Sequence, residues 1–322
     1  MAMQFHSSHK EDFMPGNTRH AVVIGGGIMG GDIATLFAAH GWTVHVMSPS
    51  PKTRDALPGR IAAGLAKLGA PAGHAAAVRC YADLKTVPWS DVAIVVEAAT
   101  EDLPLKQKLF AEVEALAAPD IPLVSNTSNF PIGDIARGLK HPGRVAGLHF
   151  FMPAHLVPLV EVVSSPQTAT AVAEKLVQLM KDLDKAPIWV KKDVPGFVGN
   201  RLQHAMMREA LYLIADGVTD AEGIDTAVRY GFGFRFIACG PMMQKEMSGW
   251  DTHDLVASAL YPHLHAEKVP PQWLKDLVTK GRTGMKVKAG MWDWDDEKIK
   301  TEKARIERAL QAGFAILRGD NP

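Results

Sequence analysis

Residues 21–30 read Ala21-Val22-Val23-Ile24-Gly25-Gly26-Gly27-Ile28-Met29-Gly30, and these ten residues indicate the fold of the first half of the chain. Its four apolar residues suit a parallel strand that is buried on both faces. The glycines match the pattern G-x-G-x-x-G and lead into a helix predicted for residues 29–40, after which a second strand is predicted for 43–47. A strand, a glycine turn, a helix and a strand in this order predict a dinucleotide-binding unit.

Each part of the turn has a physical reason to be there. Gly25 permits the tight turn, Gly27 lets the backbone approach a pyrophosphate, and Gly30 lets the helix pack close to the strand. At Ile28 and Met29 the start of the helix offers N–H groups and a partial positive charge to phosphates. We therefore predict these five residues as cofactor-binding.

The rest of the chain divides into two patterns. Strands are predicted at 91–97, 121–125, 144–150 and 159–163, with a helix at 105–117. This alternation predicts an α/β fold with an N-terminal Rossmann-type doubly wound sheet. After Lys191 the pattern is helical, which predicts an all-helical C-terminal domain. The predicted divisions are a flexible tail at 1–18, a dinucleotide-binding domain at 19–191 and a helical domain at 192–322.

Composition limits the class of protein. The 322 residues include 35 basic and 35 acidic side chains, which argues against a nucleic-acid surface. Two distant cysteines, Cys80 and Cys239, indicate a reducing compartment without a disulfide framework. No stretch reads as a membrane span, the first 18 residues lack the apolar centre of a signal peptide, and the histidines lack metal-ligand spacing. We therefore predict a cytoplasmic protein with no metal, nucleic-acid or membrane partner.

The end of the second strand departs from the usual NAD pattern. An acidic residue normally binds the ribose 2′-hydroxyl there, but this chain has Ser48, followed by Pro49-Ser50-Pro51-Lys52-Thr53-Arg54. Two hydroxyls and two cations suit a 2′-phosphate. The predicted cofactor is therefore NAD or NADP, with NADP favoured and Ser48 as a contact; the alternative is a solvated surface turn.

Two titratable side chains interrupt apolar, strand-like runs. His149 lies in Gly147-Leu148-His149-Phe150-Phe151, and Glu161 lies in Pro158-Leu159-Val160-Glu161-Val162-Val163. An unpaired buried charge is costly, so we expect a hairpin-like return to bring the two together. A carboxylate that orients an imidazole makes a general base near neutral pH. The alternative is a hydrogen-bonded core histidine and an edge-strand charge.

With these motifs the chain resembles the short-chain L-3-hydroxyacyl-CoA dehydrogenases, from about Arg19 to Trp294. Three further stretches carry the resemblance: E-A-A-T-E-D-L-P-L-K at 97–106, S-N-T-S at 125–128 and D-V-P-G-F-V-G-N-R at 193–201. The resemblance implies hydride transfer between NAD(P) and the 3-hydroxy or 3-oxo group of an acyl-CoA, as in fatty acid metabolism. It also implies a homodimer whose helical domain supplies the substrate cleft and the dimer interface.

The resemblance assigns roles residue by residue. His149 would be the catalytic acid/base, with Glu161 as its orienting partner. The catalytic Ser128 would contact cofactor and substrate, and the catalytic Asn200 would contact the substrate. The cofactor-contacting positions of the family fall on Glu101, Lys106 and Lys286. Plain structural roles are the alternatives: helix caps for the serine and the asparagine, a helix-start carboxylate for Glu101, a helix-face lysine for Lys106 and a solvated loop lysine for Lys286.

Two further departures concern the substrate. The family has Asn where this chain has Met152, and the stretch 54–92, which grips CoA in the family, is short and alanine-rich here. The motifs at 240–243 and 248–251 resemble the lambda-crystallin/gulonate, carnitine and pyridine-carboxylate dehydrogenase branches. A dehydrogenase of a small non-CoA hydroxy acid or alcohol is therefore the alternative function. An inactive nucleotide-binding structural protein is the remote one.

Overall fold

The computed structural model describes residues 19–319; the predicted tail at 1–18 lies outside them. The chain divides into two compact units, with the boundary between Asn200 and Arg201. The boundary falls after the predicted one at Lys191 because the intervening segment packs on the first unit. Phe197 is buried in one of that unit's cores, and the amides of Val198 and Gly199 bond to Glu161.

The first unit is built on an eight-stranded sheet in the order β3-β2-β1-β4-β5-β6-β7-β8. The strands are β1 (His20–Ile24), β2 (Thr43–Met47), β3 (Val78–Tyr81), β4 (Val92–Glu97), β5 (Leu123–Ser125), β6 (Val145–Phe150), β7 (Leu159–Val163) and β8 (Ala186–Val190). All neighbours pair in parallel except β6 and β7, which are antiparallel. The strand order reverses at β1, so the crevice for a dinucleotide opens at the carboxyl ends of β1 and β4.

Helices cover both faces of this sheet, as the alternating pattern predicts. They are α1 (Ile28–Ala39), α2 (Pro51–Leu68), α3 (Leu103–Leu116), α4 (Ile132–Ile135) and α5 (Thr170–Asp182). One core joins α1, α2 and α5 to the face that carries Ala21 and Val23, and the other joins α3 and α4 to the face with Val22 and Ile24. The predicted α/β doubly wound fold is confirmed.

Local signals explain where two of these helices start. The Ser50 hydroxyl accepts a hydrogen bond from the Thr53 amide, with Pro51 at the first helical position of α2. In α3 the capping side chain is Asp102, which accepts from the Leu105 amide.

The second unit is helical, as predicted. Its helices are α6 (Gly199–Ala215, whose first two residues belong to the first unit), α7 (Ala221–Ala227), α8 (Gly233–Arg235), α9 (Pro241–Ser248), α10 (Trp250–Leu260), α11 (Gln272–Thr279) and α12 (Asp296–Gly319). Within residues 201–319, only Ala210 and Pro271 have buried side chains. Large apolar side chains such as Tyr230 and Met247 are instead exposed.

Candidate active site

His149 and Glu161 form a direct cross-strand pair. The antiparallel register of β6 and β7 sets the two residues opposite each other. His149 Nδ1 lies 2.7 Å from Glu161 Oε2, and both side chains are buried. The hairpin-like return predicted from the sequence therefore brings the pair together.

Glu161 also holds the start of α6. Its Oε1 atom accepts hydrogen bonds of 2.9 Å each from the backbone amides of Val198 and Gly199. Burial by itself raises the pKa of Glu161, but the bonds from His149 and the two amides outweigh burial and hold the pKa below its ordinary value. The carboxylate is thus ionised while it positions both the imidazole and Asn200, the second residue of α6.

The surroundings of His149 define its chemistry. The rings of Phe151 and Phe197 have centroids 4.8 Å and 5.6 Å from the imidazole centroid. Because a carboxylate only accepts hydrogen bonds, Nδ1 carries the hydrogen that faces Glu161. Nε2 has no partner among the described residues, so this nitrogen is free to accept or donate a proton.

Ser128 is exposed in the loop that follows β5. The helix-cap alternative does not apply to this residue, because α4 begins at Ile132 with Pro131 as its N-cap. Thr127 fixes the loop instead. Its hydroxyl accepts from the amides of Asn129 and Phe130 and donates to Glu101.

A buried charge network lies beneath this loop. The Glu97 carboxylate accepts from Lys106 Nζ at 2.8 and 2.9 Å, from Ser125 Oγ at 2.5 Å and from the Ala99 amide at 2.7 Å. Lys106 is 1% exposed and also contacts Glu101 Oε2 at 3.1 Å. The predicted cofactor residues Glu101 and Lys106 are therefore neighbours whose charges bind each other.

The glycine turn has the geometry that a dinucleotide requires. Gly25 has a positive φ of 104°, and a Cβ there would lie 2.5 Å from the Ala98 carbonyl oxygen. A Cβ on Gly30 would overlap the Gly25 carbonyl, whereas nothing lies within 4 Å of the corresponding position on Gly27. The turn therefore packs tightly at both ends and stays open in the middle, where a pyrophosphate fits at the start of α1. Ile28, the first residue of α1, is 63% exposed there.

At the end of β2, two of the four predicted phosphate-binding groups have protein partners. Arg54 Nη1 donates to the carbonyls of Ser48 and Pro49 at 2.6 and 2.8 Å, and Ser50 caps α2. Ser48 is buried, whereas Lys52 is exposed.

No sequence motif indicates a role for Arg60, because a lone arginine on a helix forms no recognisable pattern. Its guanidinium donates to the carbonyls of Gly26 and Gly27 at 3.2 Å. It therefore holds the glycine turn from α2.

Two further positions that the sequence draws attention to have exposed side chains. Met152, where the family has Asn, is 67% exposed in the loop between β6 and β7. Lys286 belongs to the second unit, where it is exposed on the 3₁₀ turn Met285–Val287.

Neither a membrane span nor a metal cluster is found in residues 19–319. None of their helices combines the length and the apolarity needed to cross a bilayer. No group of three or more His, Cys, Asp or Glu side chains in that range is arranged to hold a metal ion.

Comparison with known sequences assigns the family. Residues 20–194 match the family described as 3-hydroxyacyl-CoA dehydrogenase, NAD binding domain, and residues 196–294 match 3-hydroxyacyl-CoA dehydrogenase, C-terminal domain. The chain therefore belongs to the 3-hydroxyacyl-CoA dehydrogenase superfamily and is a nicotinamide-dependent dehydrogenase. The predicted fold class and enzyme class are both confirmed.

Individual relatives differ in their substrates. The 5-formyl-3-hydroxy-2-methylpyridine 4-carboxylate 5-dehydrogenase of Mesorhizobium japonicum is 30% identical, over 94% of this chain and 99% of its own. A solved structure of an enzyme with that activity, described as an NAD⁺ dependent dismutase, has a TM-score of 0.86 at 30% identity and the same coverage.

Two other relatives are named for different substrates. The 3-hydroxyadipyl-CoA dehydrogenase of Escherichia coli K12 is 35% identical over 88% of this chain, which spans 60% of that protein. L-carnitine dehydrogenase of Streptomyces coelicolor is 33% identical, over 73% of this chain and 75% of its own.

Proposed function

We propose that this enzyme transfers a hydride between NAD(P) and a small hydroxy acid or alcohol that does not carry CoA, with His149 as the acid/base. The observation that carries the proposal is the buried Glu161 carboxylate, which binds His149 Nδ1 and the start of α6 together. This arrangement leaves His149 Nε2 as the one ring nitrogen that can exchange a proton with a substrate.

In the oxidative direction His149 Nε2 takes the proton of the substrate hydroxyl. Glu161 stabilises the resulting imidazolium, while Ser128 Oγ and the Asn200 amide hold the substrate oxygen in position. The bound nicotinamide supplies the hydride acceptor for the carbon, or the hydride donor in reverse. In the reductive direction the protonated His149 returns its proton to the oxygen. The rings of Phe151 and Phe197 pack beside the imidazole, which is 5% exposed.

The cofactor is held by the glycine turn and the N-terminus of α1, with Gly25, Gly27 and Gly30 in the roles given above. Arg60 keeps this turn in shape, and Glu101 and Lys106 are proposed as further cofactor contacts from the family pattern. No acidic residue occurs between the end of β2 and Asp55 to repel a 2′-phosphate, and Lys52 is an exposed cation there, so NADP is favoured over NAD. Lys286 is proposed as a further cofactor contact from the family pattern alone.

The cofactor preference has a direct test in Ser48→Asp. A carboxylate at this position accepts from the ribose hydroxyl and repels a 2′-phosphate, so we expect the NAD-to-NADP ratio of kcat/KM to rise by roughly tenfold. Lys52→Ala should lower kcat/KM for NADP alone, with Lys67→Ala on the same helix as its matched control. An unchanged NAD-to-NADP ratio of kcat/KM in Ser48→Asp would show that the turn after β2 does not distinguish a ribose 2′-hydroxyl from a 2′-phosphate.

The substrate class rests on the region between β2 and β4. It contains a single long helix, α2, followed by a short 3₁₀ segment and β3. Two of its cations, Arg54 and Arg60, already donate to backbone carbonyls, which commits part of each guanidinium to the protein. The full-length similarity to a pyridine-carboxylate dehydrogenase points in the same direction.

An acyl-CoA remains the second candidate substrate. The 35% identity to a 3-hydroxyadipyl-CoA dehydrogenase favours it. The two candidates are separated by absorbance at the nicotinamide band, with acetoacetyl-CoA, carnitine, gulonate, aromatic aldehydes and simple 3-hydroxy acids each tested with both cofactors. Turnover of the small substrates at a kcat/KM well above that of acetoacetyl-CoA supports the proposal, and the reverse order overturns it.

The second unit is proposed as the dimer interface. Its described residues leave large apolar side chains such as Tyr230, Met247 and Leu255 more than 70% exposed. A second copy of this chain is the partner that covers such a surface by symmetry.

A further inference from the structure

Asn126 joins the two strand ends that carry the proposed catalytic residues. It is the first residue after β5, two positions before Ser128. Its backbone amide donates to the Glu97 carbonyl at 2.7 Å, and its side-chain Oδ1 accepts from the Phe150 amide at 2.9 Å. Phe150 directly follows His149 in β6. One side chain therefore connects the Ser128 loop to the strand of the catalytic histidine.

This contact also fixes the orientation of the Asn126 amide. A backbone N–H can only donate, so the side-chain atom that faces Phe150 is the oxygen and not the nitrogen. The Nδ2 group, with two hydrogens, is therefore the part of the amide that is left for another partner. Among the residues that the structure describes, Nδ2 has no hydrogen-bond acceptor.

Three polar groups at the carboxyl ends of the neighbouring strands β5 and β6 thus have no hydrogen-bond partner within residues 19–319. They are Asn126 Nδ2, Ser128 Oγ and His149 Nε2. Ligands of open α/β sheets bind at the carboxyl ends of the strands. A half-buried amide at this place whose two N–H donors have no acceptor among the described residues can bind a ligand oxygen.

We propose that Asn126 is a further binding residue of the hydride-transfer site, whose Nδ2 donates a hydrogen bond to an oxygen of the bound reactants. The acceptor is a carbonyl or hydroxyl oxygen, supplied either by the substrate or by the carboxamide of the cofactor. The inference rests on the proposed function and adds a second task to the amide. Oδ1 positions the end of β6, while Nδ2 binds ligand.

Two substitutions separate these tasks. Asn126→Asp keeps an oxygen for the Phe150 amide but removes the donor, whereas Asn126→Ala removes both. Asn129→Asp is the matched control, since it makes the same charge change at an exposed position of the same loop. The readouts are the Kd of NADH and NADPH by fluorescence, kcat and KM, and the thermal unfolding midpoint.

For Asn126→Asp we expect an unfolding midpoint close to that of Asn129→Asp and a functional loss of about 10- to 100-fold. A loss in cofactor Kd identifies the cofactor carboxamide as the acceptor. A loss in kcat or KM at unchanged cofactor Kd identifies the substrate. Asn126→Ala should show the same functional loss together with a lower midpoint.

The inference is overturned if Asn126→Asp binds and turns over like Asn129→Asp, and only Asn126→Ala loses stability. Asn126 would then have only a structural role, through the hydrogen bond that its Oδ1 accepts from the Phe150 amide. If the wild type turns over no substrate, the proposed function fails separately. Cofactor binding then decides the role of Asn126, and equal Kd values for Asn126→Asp and Asn129→Asp overturn it.

Discussion

At the scale of the residue, the Glu161 carboxylate does more than orient His149. One oxygen binds the imidazole, and the other binds two backbone amides at the start of α6. The Glu161 carboxylate therefore positions both the His149 imidazole and the start of α6. A carboxylate offers two accepting oxygens for this purpose, whereas an amide offers one.

We expect Glu161→Gln to weaken both the orientation of His149 and the anchoring of the start of α6. The amide can accept from α6 or from His149 but not from both, so kcat should fall by about 10- to 100-fold. The free energy of unfolding should fall by about 1–3 kcal/mol, because one buried donor loses its partner. Glu174→Gln, on the exposed side of α5, is the control for urea unfolding and steady-state kinetics. Wild-type kinetics in Glu161→Gln would exclude this coupling.

The sequence predicts only half of this site. His149 and Glu161 are recognisable because each charge interrupts an apolar run, and a pairing across a hairpin is the simplest way to satisfy both. The bonds from Val198 and Gly199 join positions far apart in sequence, and no local pattern indicates them. The same holds for Asn126, whose partner Phe150 is identified only by the pairing of β5 with β6.

At the scale of the element, the glycine pattern predicts β1, α1 and β2 because strand, turn and helix each carry a local signal. Three elements lack such a signal. β3 is a short, half-buried edge strand, and β8 contains Pro187, a residue that weakens a strand prediction. Inside α2, Pro58 and Gly59 argue against a helix that tertiary packing nevertheless stabilises.

β2 contains a buried titratable side chain that makes stability depend on pH. His45 is fully buried, with Nδ1 3.1 Å from the Tyr81 hydroxyl and Nε2 3.2 Å from His20 Nδ1. Burial, and then the charges of His20 and Arg79, lower the pKa of His45 from 6.5 to about 4. The unfolded chain therefore binds a proton at a higher pH than the folded chain does.

Between pH 6.5 and about 4, we expect His45 to cost up to about 3 kcal/mol of stability as the pH falls, because only the unfolded state takes up the proton. Above pH 6.5 His45 is neutral in both the folded and the unfolded chain, so this loss of stability is absent. Urea unfolding from pH 4 to 7 measures the effect, with His45→Phe as the reference that cannot titrate. Parallel pH profiles for the two proteins would contradict it.

At the scale of the whole molecule, the second unit differs from the first in how little it buries. Between Arg201 and Gly319 the structure describes helices whose apolar side chains stay exposed, among them Leu255 at 73% and Met247 at 78%. A single helical unit with so little core has little hydrophobic stabilisation of its own. The helical pattern of the sequence predicts these elements, but periodicity alone cannot say what covers them.

We expect the protein to be a dimer in solution with twice the mass of one chain by light scattering. The double substitution Met247→Glu and Leu255→Glu places charges on the exposed apolar surface and should raise the monomer fraction and lower the unfolding midpoint. Lys268→Glu, at an exposed polar position of the same unit, is the control. A wild-type monomer at micromolar concentration would contradict the proposed interface.

The mechanism depends on the claim that His149 exchanges the proton while the hydride moves, and the rate of single-turnover hydride transfer measures that step. The rate of nicotinamide absorbance change is compared between the wild type and His149→Gln at saturating cofactor and substrate. We predict a fall of about 100-fold or more, with the cofactor Kd unchanged because the glycine turn is intact. Equal single-turnover rates in the two proteins would contradict the claim.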